Sequence, residues 1–175
     1  MAVPVPATER AGANQRLFPM RIIYSLFLFL AGTVLAEEKK PCVFCAIIAG
    51  QREAAIIYRD ADVVAFLSNS PQNLGHVLVV PVQHAEGILD LPPDTARAMI
   101  TLAQKIAQAL KRTDLQADGI RLQMNTGAAA GQSVFHAHLH VIPKLASDVD
   151  PKSNKPRVAL DVLESAAQKI RDKLP

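Results

Sequence analysis

The chain has no tryptophan, only two cysteines, no internal repeat and no low-complexity tract in its 175 residues. A repeat array is therefore excluded, and so is a disulfide-dense scaffold. Half the residues are apolar, which excludes a disordered chain and gives one domain enough material for a core. An excess of positive charge is also missing where it would matter. The formal net charge is +3, but Arg10, Arg16 and Arg21 stand ahead of residue 37 with only Glu9 against them. Beyond that point 16 basic residues meet 15 acidic ones. The sequence carries no basic footprint for a nucleic-acid polymer.

A long hydrophobic run is absent as well. Ile22 to Ala36 is apolar apart from Tyr24, Ser25, Gly32 and Thr33. That is short of the roughly 20 apolar residues of a membrane span. A basic flank at Arg21, a short apolar stretch and a small residue before Glu37-Glu38-Lys39-Lys40 match a secretory signal. Residues 1–36 are read as a leader, with the signal at 20–36 and translation starting at Met20. Residues 37–175 form the domain. The expected localisation is export to a periplasm or the medium. The alternatives are a membrane anchor and a cytoplasmic protein.

Within the domain, Ala55–Tyr58, Val63–Leu67 and His76–Val80 read as strands. Pro92-Pro93-Asp94 opens a helix with Ala96, Met99, Ile100, Ala103, Ile106, Ala107 and Leu110 on one face. Ile120, Leu122 and Met124 alternate on a half-buried strand. Val134–Ile142 is expected to be the next strand. Val158–Leu174 reads as a helix with Asp161, Glu164, Lys169 and Arg171 on its solvated side. Antiparallel strands with segregated helices define an α+β domain, an antiparallel sheet with flanking helices.

The chemistry concentrates in five histidines. His136, His138 and His140 fall on alternate positions, so their imidazoles share one face while Ala137, Leu139 and Val141 point into a core. Neighbours two apart on a strand are separated by roughly 6.5–7 Å, so one metal cannot readily take all three. At least one ring is left for nucleophilic or acid–base work. The preceding loop holds Asn125, Thr126, Gly127, Gly131, Gln132 and Ser133, whose donors and small residues suit a phosphate. Cys42-Val43-Phe44-Cys45 has metal-ligand spacing, with zinc, a redox pair and a disulfide all open. His84 and one triplet histidine complete a Cys₂His₂ inventory, which favours zinc. His76, beside Gly75, is given a structural hydrogen bond.

These residues resemble the histidine triad (HIT) family. The signature stands here as His136-Ala137-His138-Leu139-His140-Val141-Ile142. It is accompanied by Cys42 through Gly50, Gly75 through His84, Asn125 and Gly131-Gln132-Ser133. The branch of nucleoside phosphoramidate hydrolases is the most similar. The resemblance implies a homodimer with a joined sheet and attack by His138 on the α-phosphorus of a nucleotide conjugate. A covalent nucleotidyl-histidine intermediate would then be hydrolysed. It implies that His140 contacts the phosphate, that Gln132 and Ser133 bind phosphate or leaving group, and that Asn125 holds the nucleotide. It places a structural zinc on Cys42, Cys45, His84 and His136. One position departs from the pattern. Relatives carry an acidic residue on the ribose hydroxyls, where this chain has Ser68, and one neutral hydroxyl is the weaker partner. Two other classes therefore compete with the enzyme: a nucleotide-binding sensor with little turnover, and a zinc-stabilised exported domain.

Overall fold

The computed structural model describes residues 42–115, 117–148 and 157–175. The leader at 1–36 lies outside the described residues. The elements are α1 (Val43–Ile48), β1 (Ile56–Arg59), β2 (Val63–Leu67), β3 (Val77–Pro81), α2 (Pro93–Leu110), β4 (Gly119–Gln123), β5 (Leu139–Lys144) and α3 (Leu160–Arg171). Single 3₁₀ turns lie at Ile88–Asp90 and Ala128–Ala130. The strands form one antiparallel sheet in the order β1-β2-β3-β5-β4. The expected α+β class is what the chain adopts.

Strand alternation sorts the core into two layers. Val63, Ala65, Leu67, Val77, Val79, Leu139 and Val141 pack against α2 and α3. Val64, Phe66, Leu78 and Val80 point the other way and pack with Phe44 of α1. β2 and β3 are buried on both faces, which explains their unbroken apolar runs. The site forms on the α1 side, since Leu78 stands opposite His140 in the β3–β5 register.

Several sequence expectations need correction. The helix α2 does start at Pro93, as expected, where the fixed φ of proline suits a first turn. Its buried face is Met99, Leu102, Ala103, Ile106, Ala109 and Leu110, while Ile100 is 50% exposed. The strand expected over Val134–Ile142 begins only at Leu139 and runs on to Lys144. The reason is local. The Ala137 N–H donates to Ala85 O at 2.7 Å, and the Pro81 carbonyl accepts from the His136 ring at 2.9 Å. The groups that a longer ladder needs are already used. The last helix begins at Leu160, not Val158, because the Val158 N–H donates to Asn69 O at 3.0 Å and stays extended. Arg171 is not simply solvated: its guanidinium donates to Ile56 O at 2.5 Å and ties α3 to β1. The six-residue α1 was not foreseen. Gly75, at φ 93°, turns the chain into β3; a Cβ there would come within 3.0 Å of Leu110 and 3.4 Å of Pro143.

Candidate active site

A cavity of about 500 Å³ opens on the α1 side of the sheet. One wall is apolar, built from Val43, Phe44, Ile47, Phe66 and Leu78. His76, His138, His140 and Ser133 form a polar end, and Ser68 to Gln72 form a rim.

The three triad histidines part company here. His136 is fully buried, and its Nε2–H donates to Pro81 O at 2.9 Å. That fixes the tautomer and leaves the Nδ1 lone pair facing Cys42 Sγ at 3.3 Å and Cys45 Sγ at 3.5 Å. His84 Nδ1 lies 3.3 Å from Cys45 Sγ. The four ligand atoms of Cys42, Cys45, His84 and His136 all fall within 4.8 Å of one another. Zinc–ligand bonds of about 2.0–2.3 Å in a tetrahedron place ligand atoms roughly 3.3–3.8 Å apart, so the cluster fits a metal. Both cysteines are free thiols, so the disulfide alternative is not the state seen. Burial pushes the Cys45 thiol up, with Cys42 beside it adding to the effect; a cation between them would reverse that.

His138 is 4% exposed and its Nδ1–H donates to the His136 carbonyl at 2.6 Å. Nε2 keeps its lone pair at the other end of the ring, which lines the cavity. Burial lowers the His138 pKa, and the bond to the His136 carbonyl partly opposes this. Phe44 meets the rings of His136 and His138 edge-on, with centroids 5.9 and 5.2 Å away.

His140 belongs to a chain of three donors. The Gln72 N–H donates to His76 Nδ1 at 3.2 Å, so His76 carries its proton on Nε2. That proton is donated to His140 Nδ1 at 2.9 Å. His140 must then hold its own proton on Nε2, ready to donate. The contact follows from strand geometry, because His76 lies two residues before Leu78, and diagonal neighbours on one face are within reach. Burial pushes His76 down to about 3 and His140 to about 4, with the neighbouring imidazoles adding to both. Both rings are neutral near pH 7, as this donor chain requires. The structural bond expected of His76 is present, and it sets the tautomer of a site residue. Nothing in the sequence pairs His76 with His140.

Replacing His76 or His140 with Ala should lower kcat by about 10²-fold with KM little changed, if that directed proton serves the transition state. Steady-state kinetics on both variants provide the check. A pure KM effect would remove the role.

The loop residues divide differently from expectation. Ser133 lines the cavity. Gln132 does not: its amide donates to Glu86 O at 2.6 Å and Val134 O at 3.0 Å, and its carbonyl accepts from the Gly127 N–H at 2.7 Å. Both amide protons are spent, so Gln132 braces the loop. Asn125 also lies outside the cavity lining, its carbonyl accepting from Gln123 at 3.1 Å. The amides of Ala130, Gly131 and Gln132 are bonded within the loop. Ser68 reaches the cavity, and its Oγ accepts from the Ser70 N–H at 3.3 Å. Sequence reasoning missed two arginines in the lining, Arg52 and Arg157.

An antiparallel sheet carrying a buried histidine row over an apolar cavity, with a Cys/His cluster at one end, defines a histidine triad protein. The HIT domain family model matches residues 49–146, more than half of the chain, and the chain belongs to the HIT family. An uncharacterised HIT-like protein of Mycobacterium tuberculosis is 45% identical over 108 residues, covering 62% of this chain and 74% of that one. The crystal structure of a zinc-bound histidine triad family protein from Mycobacterium smegmatis superposes with a TM-score of 0.69 at 37% identity, covering 77% of this chain and 93% of that one. An Arabidopsis thaliana relative named adenylylsulfatase HINT3 is 36% identical over 107 residues, covering 61% of this chain and 54% of that one.

Proposed function

We propose that this protein is a nucleotide hydrolase or transferase acting at the α-phosphorus of a nucleoside phosphoramidate or related nucleotide conjugate. The observation that carries this is the tautomer of His138: Nδ1–H is bound to the His136 carbonyl, which leaves Nε2 as a nucleophile in the cavity. In this reading the Nε2 lone pair attacks phosphorus and the bond to the leaving amine or oxygen breaks. The leaving group departs with a proton from water. His140 Nε2–H donates to a non-bridging oxygen, where charge builds up. Water then attacks phosphorus and passes its proton to the hydroxide left by the first step; the phosphorus–His138 bond breaks, and the neutral ring is restored. The Arabidopsis relative's name denotes cleavage of a nucleotide conjugate and supports the reading. The test is AMP release from an adenosine phosphoramidate by wild type and His138→Ala. Tight nucleotide binding without release would instead favour the sensor.

Structural zinc on Cys42, Cys45, His84 and His136 belongs to the same proposal, supported by the His136 tautomer and the zinc-bound Mycobacterium smegmatis relative. So does a homodimer. The outer edge of β4 is unpaired among the described residues. Beside it Leu122 is 44% exposed, and Ile88, Met99, Ile100 and Met124 line an apolar groove. Sedimentation should show a dimer that Ile100→Glu converts to monomer; a monomeric wild type would overturn this reading. Export through residues 20–36 is supported by the sequence pattern alone. N-terminal sequencing of the mature protein should find a start beyond Ala36, and a mature chain beginning at Ala2 would refute it. No helix of the described residues is long and apolar enough to cross a membrane.

A further inference from the structure

Part of the cavity remains unexplained by a plain nucleoside monophosphate. The histidines and Ser133 suit the 5′-phosphate, and the wall of Val43, Phe44, Ile47, Phe66 and Leu78 suits a base. A sugar between them would face the rim at Ser68 and the segment entering α3. That segment is fixed against the rim, since the Val158 N–H donates to Asn69 O at 3.0 Å. Arg157, the residue before Val158, therefore enters the cavity lining beside Ser68 and Asn69. Arg52 lines the cavity too. Among the described residues neither arginine has an ion-pair partner.

The donor balance at this rim is unusual for a ribose diol. Two free hydroxyls are donors and are held best by a carboxylate. Ser68 Oγ accepts from the Ser70 N–H and keeps its O–H proton and one lone pair, so it meets a diol only as a neutral partner. Arg157 offers only donors. Glu53 is the one carboxylate among the lining residues, and Arg52 and Arg157 outnumber it, so the lining carries a net positive charge. Such a rim is matched by an anion with several acceptor oxygens.

Resting on the nucleotide reading above, we propose that the preferred substrates are 5′-nucleotide conjugates bearing a further phosphate on the ribose 2′- or 3′-oxygen, held by Arg157 with Ser68. The cleavage chemistry at the 5′-phosphorus is unchanged. The added phosphate sets specificity through charge-assisted bonds, and an acidic residue at position 68 would repel it.

Calorimetric titration of the full chain with AMP, adenosine 2′,5′-bisphosphate and adenosine 3′,5′-bisphosphate tests this. One bisphosphate should bind about tenfold tighter than AMP at low salt, from the added charged bonds. The gain should shrink as salt is raised. Arg157→Gln should bring the two affinities within about twofold of each other, since the added phosphate loses its charged partner. Ser68→Asp should reverse the order. Wild type that binds AMP as well as either bisphosphate overturns the specificity and leaves the nucleotide reading standing. A preference that survives in Arg157→Gln overturns the assigned residue. Failure to bind any of the three overturns both readings.

Discussion

His138→Ala should abolish AMP release from an adenosine phosphoramidate, a loss on the order of 10⁴-fold or more, because among the described residues no other imidazole of the cavity keeps a free lone pair to bond to phosphorus. Neither neighbouring histidine can substitute. His136 has Nε2 on the Pro81 carbonyl and Nδ1 against the two thiols. His140 has Nδ1 occupied by His76, and its remaining nitrogen is protonated. A solvent water attacking directly would be the residual route. The variant's fold is checked by its thermal transition, since removing a buried ring leaves a void beside Phe44. A correctly folded His138→Ala that releases AMP at the wild-type rate would refute the assigned nucleophile. Trapping the intermediate offers a second readout. Rapidly quenched wild type should carry one nucleotidyl group on His138, and the variant none.

Removal of the metal should lower the melting temperature by about 8–16 °C. A ligand at about 1,000 times its dissociation constant stabilises a protein by roughly 4 kcal/mol. For a domain of this size each kcal/mol moves the transition by about 2–4 °C. The domain should stay folded, since the core of α2, α3 and the sheet does not involve the four ligands. Elemental analysis should find one zinc per chain in wild type and little in Cys45→Ser. A chelator should shift the wild-type transition and leave that variant's transition in place. Protein without metal after growth in added zinc, or a transition indifferent to chelator, would sink the assignment.

Much of this was legible in the sequence. β2, β3 and the start of α2 announce themselves through apolar runs and Pro93, which act locally. The alternation of Ala137, Leu139 and Val141 against the histidines predicted the buried face correctly, even though the ladder reaches only Leu139. The meeting of Cys42, Cys45, His84 and His136 could be assembled from spacing and resemblance. What escaped depended on partners distant in the chain. The late start of β5 turns on the Pro81 carbonyl and the His136 ring, 55 residues apart. The role of His76 turns on His140, 64 residues away. Gln132 carries a side chain that suits a phosphate, and only the positions of Glu86 O and Val134 O show its donors are spent. Arg157 looks like a loop cation until the bond from Val158 to Asn69 brings it to the cavity.

Helix α1 has a consequence of its own. Six residues are too few to stay helical unaided. Cys42 and Cys45, at its start, belong to the Cys/His cluster that could hold a metal, while Val43, Phe44 and Ile47 form the wall against which a base would lie. The clamp and the wall are one piece of chain. With the proposed zinc in place, loss of the ion should slacken the grip on the proposed substrate before it unfolded anything, and zinc supply would act as a dial on KM.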